Sequence, residues 1–219
     1  MGKTAAAVIA ALCGCPAFAQ DAGWHPVLQA QGAASAGSRL SAQILERTEA
    51  SQAEPAWVGN LGVPENSSER KLRIIRSGPD GQSVFETAFP SETVRGDPCS
   101  IRQPVALRVT GAGVQLRVRY EFACGSGAAG EAAYQLAWRG GTVRIAKLAL
   151  EYAERDVNIE SGVDYVRRAA SYRRANPSDD GGGRTWQRKI RQGPPRVDGV
   201  GFENCPAPYR PDPLPDCSL

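Results

Sequence analysis

From residue 71 onward, apolar and polar side chains alternate in short runs separated by glycine-bearing turns, the two-residue period of strands that bury one face and wet the other. Residues 72–76 and 83–89 flank the turn-forming Ser77-Gly78-Pro79-Asp80-Gly81-Gln82 and predict a first hairpin. Residues 105–110 and 114–124 predict a second around Gly111-Ala112-Gly113, with Arg108, Gln115, Arg117 and Arg119 on its outward face. Residues 133–138 and 143–152 predict a third around Arg139-Gly140-Gly141-Thr142, and Ala146-Lys147 interrupts the alternation where a bulge would reset the register. A fourth pairing is expected between 156–159 and 163–168 across Glu160-Ser161-Gly162.

The flanks are less regular. Residues 20–54 are rich in Ala, Gly, Ser and Gln, and only residues 40–45 carry a packing signal. Leu40, Ala42 and Ile44 alternate as a strand would, while Leu40, Ile44, Leu45 and Thr48 also fit one side of a short helix; the strand is favoured. After Asn176-Pro177 a Gly-rich loop leads to a basic stretch around Trp186. The expected fold is mainly β: a single antiparallel meander or sandwich-like domain at 71–175. It is flanked by an N-terminal segment, 20–70, with one short strand or helix, and by a basic, Pro-rich segment, 176–219.

Lys3, the apolar run 5–12 and Ala17-Phe18-Ala19 read as a secretory signal peptide over 1–19, which places the mature chain in the periplasm or outside the cell. Leu12-Cys13-Gly14-Cys15 offers the alternative of a lipoprotein anchored through Cys15, but the small-x-small site favours cleavage before Gln20. The apolar run is too short to span a bilayer, so no transmembrane segment is expected. In an oxidising compartment the four remaining cysteines, Cys99, Cys124, Cys205 and Cys217, read as two disulfides. Sequence proximity favours Cys99–Cys124 and Cys205–Cys217, each contributing about 3 kcal/mol by loop closure. Zinc is disfavoured, because no C-x-x-C pair exists and His25 is the single histidine.

A formal net charge of +3 excludes a whole-protein field directed at nucleic acid. The charge is uneven, however. Residues 165–196 hold nine basic side chains against Asp179 and Asp180, so this stretch could meet an anionic partner or form a solvated face. Gly125-Ser126-Gly127-Ala128-Ala129-Gly130 matches the dinucleotide-binding spacing, yet residues 131–138 alternate like a strand, so a glycine-rich hairpin loop is expected and no nucleotide cofactor. A Ser-His-Asp arrangement would have to recruit His25, and no nucleophile elbow is present. Glu121, Glu131, Glu151 and Glu154 lie on or near strands and are the candidates for a paired-carboxylate hydrolase.

Gly96-Asp97-Pro98, the hairpin of 109–120, Tyr134-Gln135-Leu136-Ala137-Trp138, Gly140-Gly141-Thr142-Val143, and Asp156-Val157-Asn158 with Ser161-Gly162 form a run over about residues 97–162. That run resembles small exported bacterial proteins described as FG-GAP-like. The resemblance implies a β-rich, periplasmic protein and no particular reaction. Their D-x-D-x-D-G calcium loop is not carried over, because the corresponding Gly59-Asn60-Leu61-Gly62-Val63 has no carboxylates.

These features point to an exported binding protein without cofactor, metal or catalytic residues, an inhibitor or immunity-type protein being one form. Its partner would be another envelope or secreted protein or an anionic envelope component. Trp186, Arg188, Lys189 and Arg191, with Tyr209 and Arg210 in the Pro-rich loop, are the candidate contacts, since Trp, Tyr and Arg join large contact area to charge-assisted hydrogen bonding. A glycan hydrolase of the envelope is the rival reading, and a structural envelope component the third.

Overall fold

In the computed structural model of the chain, residues 23–34, 37–48, 68–90, 93–94, 97–122, 129–154, 157–175 and 184–197 are described. Among them the regular structure is antiparallel strand arranged in two sheets, so the protein is mainly β. The first sheet holds β1 (His25–Ala33), β2 (Arg39–Thr48), β3 (Ser68–Gly78) and β4 (Gly81–Phe89) in sequence order. The second holds β5 (Thr93–Val94), β6 (Asp97–Thr110), β7 (Gly113–Phe122), β8 (Ala129–Arg139), β9 (Thr142–Glu154), β10 (Val157–Asp164), β11 (Ala169–Ala175) and β12 (Arg184–Lys189), also in order. Neighbours in space are neighbours in sequence throughout, which is what short glycine turns between alternating runs produce.

Three expected hairpins form at the turns the sequence marks, between β3 and β4, β6 and β7, and β8 and β9. In the last of these Gln135 pairs with Lys147 and Leu136 with Ile145, so Ala146 is the extra residue of a bulge. The fourth hairpin is displaced. Glu160, Ser161 and Gly162 lie inside the continuous strand β10, and the chain turns at residues 165–168. Asp164 makes that turn: its Oδ1 accepts hydrogen bonds from Val166 N–H at 3.1 Å and Arg167 N–H at 2.9 Å, ahead of Arg168 in a left-handed conformation. Gly162 serves close packing instead, because a Cβ there would lie 3.3 Å from Ser171 Oγ on β11.

The flanks contribute more regular structure than their composition suggests. β1 and β2 complete the first sheet, and β12 closes the second. The two sheets meet where β1 and β2 lie against β6 and β7, with Gly32 against Val109. One continuous core fills the junction, drawing Ile44, Leu72, Ile74 and Phe85 from the first sheet and Leu107, Leu116, Tyr134, Leu148 and Val163 from the second. Each such side chain contributes roughly 1.5–3 kcal/mol of transfer free energy. β2 is buried on both faces, since Ser41, Gln43 and Leu45 are covered as well as Leu40, Ala42 and Ile44. Beyond β12 the chain folds back beneath the bulge, where Ile145 N–H donates to Pro195 O at 3.0 Å and Val197 is fully buried.

Of the cysteines, Cys99 falls on β6, while Cys124, Cys205 and Cys217 lie outside the described residues. No described helix is long and apolar enough to cross a membrane.

Candidate functional site

Register decides which side chains share a face. One row of directly opposed residues across the second sheet runs Leu107, Leu116, Tyr134, Leu148, Val163 and Ala170, and all are buried in the core. The described aromatics of β7 to β12 follow the same side: Tyr120, Tyr134, Trp138, Tyr152, Tyr172 and Trp186 all sit in rows that alternate with the outer face. Among the described side chains the outer face over these strands is therefore free of aromatic rings.

Two rows of that outer face lie side by side. The first is Arg108, Gln115, Gln135, Lys147, Asp164, Ala169 and Lys189. The second is Ala106, Arg117, Ala133, Ala149, Gly162, Ser171 and Gln187, small at five of seven positions. Small residues flanked by long ones leave a channel. A trough of about 880 Å³ runs along these rows, at right angles to the strands, from β6 to β12. At ~4.8 Å between neighbouring strands, seven strands make it roughly 29 Å long.

Four cationic side chains, Arg108, Arg117, Lys147 and Lys189, and a single carboxylate, Asp164, line it. Lys147 Nζ sits 3.0 Å from Asp164 Oδ2, and Arg117 pairs with Glu131 just outside the trough. Arg108 near one end and Lys189 at the other have no carboxylate partner among the described residues. Between them Gln115 and Gln135 stand opposite one another, each amide able to donate and accept. The Gln135 amide nitrogen is buried and finds no acceptor among the described residues, which leaves an unmet donor in the trough wall.

The residues singled out by sequence divide between the two faces. Trp186 stacks on Tyr172, with ring centroids 5.8 Å apart and planes 13° from parallel, and Arg188 lies over the Trp186 ring at 4.7 Å. Trp186 is thus half-buried packing on the edge of the core face. Lys189, one residue beyond Arg188, belongs to the trough. Arg191 is exposed just beyond β12, and Tyr209 and Arg210 lie outside the described residues. Arg108, Gln115 and Arg117 are legible in the sequence as outward-facing; Gln135, Lys147 and Asp164 are not legible as a group, because the trough exists only once seven strands are in register.

Among the hydrolase candidates, the sheet brings Glu131 and Glu151 directly opposite each other on the outer face. They stand beside the trough. Glu131 is held by Arg117, Glu151 is exposed, and Arg119 lies 3.9 Å from Glu121. Glu154 ends β9. Of the glycine-rich stretch, residues 125–128 lie outside the described residues, while Ala129 and Gly130 are in β8; a Cβ on Gly130 would lie 2.7 Å from Glu151 O, so that glycine serves strand contact, and strand stands where a pyrophosphate site needs a helix. Groups of three or more metal-ligating residues are absent from the described residues.

Fold and site together define an all-β meander with an elongated, cationic trough across one sheet face. No protein-family model, curated protein or solved structure matches the chain.

Proposed function

We propose that this chain is an exported, non-catalytic binding protein that holds an elongated anionic ligand of the envelope along the sheet-face trough. The trough carries the reading: four cations against one carboxylate line a channel with a small-residue floor. An anion there gains Coulombic attraction and charge-assisted hydrogen bonds. The signal peptide over 1–19 supplies the route to the periplasm or beyond, and Cys99–Cys124 and Cys205–Cys217 are the proposed staples there. The FG-GAP-like resemblance agrees with that location.

Sedimentation with washed cell envelopes tests the reading. The mature chain pellets with envelopes, and Arg108→Glu/Lys189→Glu leaves it in the supernatant. Equal pelleting of both contradicts the assignment of the trough. Mass spectrometry of the non-reduced mature chain reads the N-terminus and the bridges; a chain retaining residues 1–19 with Cys99, Cys124, Cys205 and Cys217 all as free thiols contradicts the export.

The adjacent Glu131 and Glu151 keep a second reading, a glycan hydrolase, open to test. Its signature is new reducing ends on incubation with the ligand, abolished by Glu151→Gln.

A further inference from the structure

We infer, building on the binding role proposed above, that the ligand of the trough is a linear acidic glycan, a chain of sugars carrying carboxylate groups. Four observations converge on it.

The direction of the trough comes first. It crosses the strands, so its floor offers no free backbone donors or acceptors, those being used in the sheet's own ladders. An extended peptide laid this way would leave its main chain unmatched, whereas peptides that bind sheets do so along edges. A glycan presents hydroxyls, each both donor and acceptor, and these suit side-chain amides.

Those amides are the second observation. Gln115, Gln135 and Gln187 supply them along the trough, Ser171 adds a hydroxyl, and the Gln135 nitrogen still lacks an acceptor among the described residues.

Spacing is the third. One strand passes beneath the trough every ~4.8 Å, close to the rise of one sugar in an extended chain, so each sugar meets a fresh pair of side chains.

The fourth is what the face omits. Neutral sugars and single-stranded nucleic acids are held largely by stacking on aromatic rings, and over β7 to β12 the described rings belong to the core side. Affinity here must come from charge and hydrogen bonds. Arg108 and Lys189 place positive charge near the two ends, with the compensated Lys147–Asp164 pair between them. A polymer with spaced carboxylates matches that distribution.

The probes are oligomannuronates of graded length, a neutral cello-oligosaccharide, polyglutamate and single-stranded DNA, titrated calorimetrically against the full mature chain. Oligomannuronate binds, and its affinity rises with length until the trough is filled. Arg108→Glu and Lys189→Glu each weaken it by about tenfold, the loss of one charge-assisted contact. Ala149→Phe, which fills the floor without changing charge, weakens it as well. All three positions are on the outer face, and unchanged thermal unfolding confirms that the variants are folded. Equal binding of the neutral glycan, or of polyglutamate or DNA, overturns the inference; so does indifference to the three substitutions. Envelope pelleting that depends on Arg108 and Lys189, with no uronate binding, overturns the glycan and leaves the binding role standing. Pelleting that ignores those residues removes the role itself.

Discussion

Lys147 and Asp164 face each other across β9 and β10, with Nζ 3.0 Å from Oδ2, and the same carboxylate caps the turn at the end of β10. One side chain thus ties the middle of the trough to the β10–β11 hairpin. Partial burial raises the Asp164 carboxyl, while the Arg167 N–H and Lys147 lower it by more, so the net shift is below the ordinary carboxylate value. A depressed folded-state value means stabilisation that is complete above the unfolded titration near ~3.9 and is lost as pH falls through the lower folded value. Asp164→Ala should cost about 1–2 kcal/mol in denaturant unfolding at neutral pH and flatten the acid limb of stability. Asp164→Asn, which keeps the cap and loses ion pairs to a half-exposed lysine and to the exposed Arg167, should cost under about 1 kcal/mol.

At the other pH extreme, Tyr134 is the sensor. Burial, then the neighbouring Tyr120, raises its phenol well above the usual value, the two hydroxyls lying 3.2 Å apart. A raised folded-state value gives stability that is intact below the unfolded titration near ~10 and declines as pH rises beyond it. Tyr134→Phe should make the alkaline unfolding limb shallower than in the parent, measured by denaturant titration between neutral and strongly alkaline pH. An unchanged limb would assign the decline to other groups.

The second hairpin contains a natural control. Gly113 has φ of +129°, and a Cβ there would lie 2.0 Å from Leu136 O on β8, whereas a Cβ on Gly111 meets nothing within 4 Å. Gly113→Ala should therefore cost about 3 kcal/mol or more through backbone displacement, and Gly111→Ala close to nothing. Thermal unfolding of the two variants side by side reads the difference.

Between the sheets, Arg70 pairs with Glu46 on β2 and donates through Nη1 to Arg102 O at 3.1 Å, with side-chain exposures of 5% for Arg70 and 16% for Glu46. Arg70→Met strands a carboxylate in that setting and should cost about 3 kcal/mol. Adding Glu46→Leu should restore much of the loss, a coupling that a double-mutant cycle measures directly.

The meander is legible in the sequence because alternation and glycine turns report on strands with one wet face, as in β3, β4 and β6 to β9. β2 is ambiguous for the opposite reason: with Ser41, Gln43 and Leu45 buried beside Leu40, Ala42 and Ile44, no polar face marks its period. β1, His25–Ala33, leaves no signal because its inward positions include Ala30 and Gly32, too small to mark a core. The β10–β11 turn falls elsewhere than expected because a glycine in a strand and a glycine in a turn read alike, while the true turn rests on Asp164 and the left-handed Arg168. Trp186 has the composition of a binding anchor, and the structure lays it on Tyr172. The trough needs the register of seven strands. No local pattern contains it.

The most direct test of the trough as a binding site is methyl NMR of the alanine-labelled chain titrated with oligomannuronate. Ala106, Ala133 and Ala149 on the floor should shift, while Ala42 and Ala132 in the core stay in place. Shifts confined to residues around Trp186, or absent from the three floor alanines at saturation, would contradict the account.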